Sequence, residues 1–562
     1  MSRKKTDNGR LIFLPLGGAG EIGMNCYVFG YGPAGRERLI VVDLGVTFPD
    51  MEGTPGVDLI MPDIAWLEEN VDRIEAIFIT HAHEDHIGGL AHLWPRLGKK
   101  VYCRRFTANI ARRKMEEHGR DVSVIRELES FPAMVDLGPL RVGFMPVPHS
   151  IPEASGLVID TPAGRVVHTG DFKLDPTPII GDPYDPNLWE AVAAPGVQAL
   201  ICDSTNVFTP HSGRSEATVG PEITRLVSEA KNMVVATTFA SNIARLQTLA
   251  DAGRAAGRSV VLLGRAMRRM IEAGVESGVV TNFPPVISAE EARDMPREKV
   301  MLIVTGSQGE RRAASAQLSR GKYQGLSLRE GDLFLFSSKT IPGNEIGVGR
   351  IINAFSEMGV DVVDDSSSLY HVSGHANRPD LQKVHQLINP KMLVPMHGEH
   401  RHLREHARLG EAAGIPSAIC TNGTMLDLAG KAPRVVDHVE TGRTYLDGAR
   451  MIGALDGVVR DRIRMALNGI IVVGILIDED DEIAGDAWAE IKGLPDSGRN
   501  GAVLVDEIED AVNSALERAS DKIVSDDEAI EGVVRKVARQ VAQDEIGKKP
   551  EVVVLVSRLV AA

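Results

Sequence analysis

From residue 11 to about 220 the chain alternates short apolar runs with turns, among them Leu11–Leu14, Leu39–Gly45, Ala76–Thr80, Val142–Val147 and Leu157–Asp160. Runs of this length, rich in β-branched residues and bounded by turn residues, predict strands, with occasional helical stretches between them: an α/β sandwich. After residue 220 the rhythm changes. Helical stretches at Pro221–Ala230 and Asn242–Ala252 alternate with continuous apolar runs at Met233–Thr238, Val260–Leu263 and Val300–Val304, the pattern of a parallel α/β sheet buried on both faces. Near the C-terminus, Gly469–Ile477 predicts a buried strand, residues 503–520 and 526–545 two helices, and Val552–Ser557 a further strand.

Three histidines and two carboxylates interrupt this pattern at His81-Ala82-His83-Glu84-Asp85-His86, directly after the run Ala76–Thr80. A strand ending in a loop aims alternate side chains one way, so His81 and His83 can share one metal while Asp85 and His86, past the turn, face a second. Three further candidate ligands each end a β-like run: His149, Asp171 and His397. Asp171 and His397 lie far apart in sequence yet should meet in space, which predicts that the parallel α/β segment is an insertion. The expected division is 1–220, first part of the metal-binding domain; 221–370, inserted domain; 371–440, second part; 441–458, joint; and 459–562, a small C-terminal α+β domain. The Gly-rich Leu16–Gly23 lacks the Gly-x-Gly-x-x-Gly spacing, and a second strand follows it in place of a helix, so it predicts a tight turn and no dinucleotide loop.

Composition narrows the class. At 562 residues the chain exceeds one hydrophobic core. Its 43% hydrophobic and 25% charged content is that of soluble globular proteins, and no run approaches the roughly 18 apolar residues of a membrane span. Cys26, Cys103, Cys202 and Cys420 form no Cys-x-x-Cys pair, which argues for a reducing compartment; with no export signal visible, the expectation is the cytoplasm. A net charge of −15 argues against nonspecific coating of nucleic acid, but not against a nucleic-acid enzyme with one positive groove.

A series of blocks then carries a resemblance. In order they are Leu16-Gly-Gly-Ala-Gly-Glu-Ile-Gly-Met-Asn25, Val42-Asp43-Leu44-Gly45, His81–His86, Pro148-His149-Ser150, His168-Thr-Gly-Asp-Phe-Lys173, Cys202-Asp-Ser-Thr-Asn206, Gly306-Ser-Gln-Gly-Glu310, His371-Val-Ser-Gly-His-Ala376 and Pro395-Met-His-Gly-Glu399. In them the chain resembles hydrolases of the metallo-β-lactamase fold, more narrowly the β-CASP nucleases, and most narrowly the bacterial ribonuclease J family. The resemblance implies an αββα sandwich with an inserted β-CASP domain and a small C-terminal domain associated with self-assembly, as a homodimer or homotetramer. It implies two Zn2+ per chain, one held by His81, His83 and His149, the other by Asp85, His86 and His397, with Asp171 bridging, and additional Mg2+ or Mn2+ supporting activity. Asp43 would orient a ligand imidazole. Asp85, His86, Asp203 and His375 would act in catalysis, His375 by donating a proton or holding the phosphate.

The stretch Ser373, Gly374 and His375 would bind phosphate, and Phe48 and Phe239 would stack bases. Arg265, Arg268, Arg269, Arg311 and Arg312 are candidate phosphate contacts, and His371 a packing residue. The implied activity is two-metal hydrolysis of RNA phosphodiesters, 5′→3′ exonucleolytic from single-stranded 5′-monophosphate ends and also endonucleolytic, in RNA processing and decay. Alternatives are a DNA-directed β-CASP nuclease, a small-molecule hydrolase of the same fold, and a non-catalytic RNA-binding subunit.

Overall fold

The apolar runs pair into sheets whose facing sides form the core. The computed structural model describes residues 9–559. An eight-stranded sheet runs in the order Arg434–His438, Thr424–Asp427, Arg10–Gly17, Cys26–Gly32, Arg38–Val42, Ile74–Phe78, Val101–Cys103, Ile125–Glu127. A six-stranded sheet runs Leu393–Met396, Val197–Asp203, Gly164–His168, Ser155–Thr161, Leu140–Pro146, Val135–Leu137. Phe13, Phe29, Ile40 and Phe78 of the first sheet pack with Phe144, Leu157, Ile201 and Val394 of the second in one fully buried cluster. Helices, among them Arg105–Glu117, Arg378–Ile388 and His400–Ala412, cover the outer faces. This is the expected αββα sandwich.

The insertion holds a five-stranded sheet, in the order Ser259–Leu263, Val300–Val304, Val234–Thr237, Leu333–Phe336, Asp361–Val363, with every pairing parallel. Its runs are continuously apolar because helices bury both faces. A fully buried Arg245 ties the insertion to the sandwich. Its guanidinium donates to both Glu216 carboxylate oxygens at 2.7 and 3.0 Å, and to the Ser337 and Tyr370 carbonyls at 3.0 Å each.

The described chain divides into two compact units, the second formed by Phe48–Ile60 and the chain from Thr444 onward. In it, helices Leu504–Leu516 and Asp527–Ile546 pack on a three-stranded sheet ordered Trp488–Lys492, Ile470–Ile477, Glu551–Arg558. The segment 48–60, read from sequence as part of 1–220, groups here because Asp58 N–H donates to the Leu446 carbonyl and Gly448 N–H to the Asp58 carboxylate, each at 2.8 Å. The joint read at 441–458 holds a hairpin, Arg443–Asp447 with Arg450–Gly453, and leads into a helix, Val458–Asn468. That helix buries only Val459, so it has no apolar stripe for a sequence reading to find.

Candidate metal centre

The candidate ligands lie just beyond strand ends, in loops or in one short helix. His81 and His83 follow the strand Ile74–Phe78, and Asp85 and His86 lie in the one-turn helix Glu84–Ile87. His149, Asp171 and His397 follow the strands Leu140–Pro146, Gly164–His168 and Leu393–Met396. His397 holds a left-handed backbone with φ of 49°, and its N–H donates to the Gly18 carbonyl at 2.8 Å, so the Gly-rich turn serves as its anchor. Gly45 has a comparable duty, since a Cβ there would lie 1.7 Å from the Asp85 carbonyl oxygen. No side chain fits between that turn and the ligand loop.

Two donor clusters result. His81 Nε2 and His149 Nε2 each lie 3.1 Å from His83 Nδ1, and Asp85, His86, Asp171 and His397 form the other group. Asp171 faces both: its Oδ2 is 3.2 Å from His86 Nε2 and 3.9 Å from the Nε2 atoms of His81 and His149, while its Oδ1 lies 3.7 Å from His397 Nδ1. Among the described residues, Asp171 Oδ1 is buried without a hydrogen-bond partner. Converging imidazole nitrogens around a buried, unsatisfied carboxylate fit cations.

Hydrogen bonds set which ring nitrogen is presented. His149 Nδ1–H donates to the Gly374 carbonyl at 2.7 Å, freeing Nε2. His86 Nδ1–H donates to Asp43 Oδ2 at 2.7 Å. Thr80 Oγ1–H donates to the same Asp43 oxygen at 2.8 Å and accepts from His81 Nδ1–H at 3.0 Å. Asp43, itself held at φ of 65°, therefore orients one imidazole of each cluster. Asp43→Asn is expected to weaken metal retention by about 10- to 100-fold; competition with a chelator measures it, and unchanged affinity would remove Asp43 from this support.

The electrostatics divide the same way. Burial disfavours charge on His81, His83 and His149, lowering His83 to about 4 and the other two further below the ordinary histidine value. For Asp85 and Asp171 burial opposes ionisation, but His86 and His397 outweigh it and hold both carboxyls well below the usual range. Burial likewise opposes charge on His86 and His397, yet the surrounding carboxylates raise both, His397 to about 10. Cations entering this site replace protons.

Beside the clusters, His375 Nδ1–H donates to Asp203 Oδ2 at 2.7 Å, and Thr205 holds Asp203 Oδ1 through its N–H and hydroxyl at 2.9 and 2.7 Å. Burial lowers the His375 pKa, but Asp203 reverses this and leaves it raised. Gly374 lets this loop approach the metal cluster, since a Cβ would lie 2.8 Å from His149 Cε1 and from Ser150 Oγ. Ser373 Oγ accepts from Asn206 Nδ2 at 2.8 Å and, more weakly, from His375 N–H at 3.2 Å. That last bond occupies the His375 backbone donor.

The aromatic candidates lie on different parts of the chain. Phe48 belongs to the second unit and is 64% exposed. Phe239 lines a cleft of about 370 Å³ at the C-terminal ends of the insertion's strands, with Arg265, Arg312, Thr305, Ser307 and Tyr323. Of the other arginines, Arg269 pairs with Glu117, and Arg268 donates to the Leu262 carbonyl at 2.9 Å. His371 is largely buried and lowered to about 3 by that burial, in keeping with packing. Sequence reading passed over Thr80, Thr205 and Asn25, whose amide donates to the Asp85 carbonyl at 3.0 Å. Such residues are too common for type alone to single them out; Thr205 and Asn25 did lie inside the quoted blocks.

Sandwich and site together define a metallo-hydrolase of the metallo-β-lactamase superfamily, and residues 19–211 match that superfamily's profile. Residues 231–355 match the ribonuclease J β-CASP domain, 359–420 the Zn-dependent metallo-hydrolase RNA specificity domain, and 457–559 the ribonuclease J C-terminal domain. The chain is 40% identical to the ribonuclease J of Sinorhizobium meliloti, over 98% of this chain and 97% of that one. It is 34% identical to the ribonuclease J of Mycolicibacterium smegmatis, over 97% of each. A crystal structure of a protein of unknown function from Enterococcus faecalis shares the fold, with a TM-score of 0.50 and 19% identity, over 70% of this chain and 95% of that one. The chain belongs to the ribonuclease J family: it is a metal-binding nuclease of the metallo-β-lactamase fold that acts on RNA. Among the described residues, no helix is long and apolar enough to cross a membrane.

Proposed function

We propose that the chain is a cytoplasmic two-zinc ribonuclease that degrades single-stranded RNA 5′→3′ from 5′-monophosphate ends and also cuts internally, with Mg2+ or Mn2+ as a supplementary cation. The observation carrying this reading is the continuity of the donor clusters with the Asp203–His375 pair through the Gly374 loop. His81, His83 and His149 would hold one ion and Asp85, His86 and His397 the other, with Asp171 between them. Paired cations lower the pKa of a water and stabilise charge on a phosphoryl oxygen during in-line attack.

The rest falls to the protein. His375, whose pKa Asp203 raises against its burial, would donate its Nε2 proton to the leaving 3′ oxygen, giving a 3′-hydroxyl and a 5′-phosphate. Ser373 and Gly374 border that position and support phosphate capture. Arg265, Arg312, Phe239 and Tyr323 supply cationic and stacking surface for the strand. In the C-terminal sheet, exposed Leu476, Trp488, Val553 and Leu555 favour self-association as a homodimer or homotetramer. Phe48, exposed on its own unit, is a further stacking residue in this reading.

The deciding assay compares matched RNAs bearing 5′-monophosphate, 5′-triphosphate and 5′-hydroxyl ends with the equivalent DNA. Faster turnover of the monophosphate RNA is expected. Equal rates on all three RNA ends would remove end sensing, and faster cleavage of DNA would replace the substrate.

A further inference from the structure

Successive strand residues face opposite sides of a sheet, so Cys202 points away from the side to which Asp203 is directed. There it meets the two helices that cover the six-stranded sheet. His385 lies in the last turn of Arg378–Ile388 and His406 in the middle of His400–Ala412, and all three side chains are at most 2% exposed. One donor atom from each of Cys202, His385 and His406 lies within 4.8 Å of the others. His385 Nε2 and His406 Nε2 are 3.0 Å apart, close to the 3.1 Å separations among His81, His83 and His149. His406 Nδ1 lies 2.9 Å from Ser204 Oγ, whose hydroxyl donates to the Cys202 carbonyl at 3.3 Å. Ser204 therefore accepts from His406 Nδ1–H and leaves Nε2 as a lone pair directed at the cluster, the support that metal-bound imidazoles receive.

A hydrogen bond between the two Nε2 atoms satisfies one nitrogen of each ring, and Ser204 satisfies the second of His406, but the second nitrogen of His385 is left over. Among the described residues, His385 Nδ1 is buried without a hydrogen-bond partner. Burial keeps both imidazoles in the neutral, ligating form, lowering His385 to about 4. One sulfur and two imidazole nitrogens, from three separate elements and without a carboxylate, are the donor set that selects Zn2+ over Mg2+ or Ca2+.

We propose that Cys202, His385 and His406 hold a further zinc-type ion, which clips both helices to the strand that carries Asp203. The ion is structural and distinct from the centre at Asp171, whose donors are all nitrogen and oxygen.

That difference supplies the test. Full-length protein is loaded with Co2+, and its near-ultraviolet spectrum is recorded together with the metal content. Only a sulfur donor gives a thiolate-to-cobalt charge-transfer band, and Cys26, Cys103 and Cys420 belong to no donor cluster among the described residues. The expected result is such a band in the unaltered protein. In Cys202→Ser the band disappears and one metal equivalent is lost, with the remaining equivalents retained. His406→Gln should likewise abolish the band. A cobalt-loaded unaltered protein without the band overturns the proposal whether or not the variants fold, and so does a band that survives Cys202→Ser.

Discussion

Asp171→Ala is expected to reduce RNA hydrolysis by about a thousandfold or more, because several kcal/mol of phosphoryl-charge stabilisation depends on the paired cations. The size of the effect follows from the position of this carboxylate. Its Oδ2 faces both donor groups, His81 and His149 of one and His86 of the other, and its Oδ1 faces His397. Its removal also leaves the raised imidazoles of His86 and His397 with fewer compensating charges, so both clusters should bind cations less tightly. Metal content measured beside turnover separates loss of cations from misfolding, with circular dichroism as the control on the fold. Turnover within about tenfold of the unaltered enzyme, at full metal content, would rule out a bridging role.

Arg245→Met is expected to destabilise the protein by about 3–5 kcal/mol, the cost of leaving one member of a buried ion pair without its partner. Glu216 is 5% exposed, and its nearest other cation, Lys173, lies 4.0 Å away and already pairs with Asp175 at 2.9 Å. The lost guanidinium would also release the Ser337 and Tyr370 carbonyls. Replacing both partners, as Arg245→Met with Glu216→Leu, should recover much of the loss because no buried charge remains. Denaturant unfolding followed by a probe in the insertion gives the comparison. A single variant within about 1 kcal/mol of the unaltered protein would show that water or Lys173 compensates Glu216. Since Lys173 is two residues from Asp171, this network also links the seating of the insertion to the loop that carries the central carboxylate.

Much of the architecture was legible because burial and periodicity coincide. Leu39–Val42, Val300–Val304 and Ile470–Ile477 are strands in the structure, and their apolar runs announce them. Elements that bury little were not legible. Trp488–Lys492 alternates exposed and half-buried residues at a sheet edge, and Val458–Asn468 buries a single side chain, so neither leaves a stripe. The candidate phosphate-contact arginines separate only in three dimensions. Arg265 and Arg312 line a cleft, whereas Arg269 is spent on Glu117.

The sequence by itself determined the donor types, their placement at strand ends and the insertion between Asp171 and His397, because ligand chemistry and apolar runs are properties of residue type and order. Tertiary structure decided which atoms meet. That Asp171 faces both donor groups, that Asp43 serves His86 directly and His81 through Thr80, and that Gly374 brings its loop against His149 all depend on approaches of a few ångströms between residues tens to hundreds of positions apart. It also placed Cys202 between His385 and His406. Those three residues show no spacing motif, because a strand and two helices supply one donor each and only their packing sets the distance.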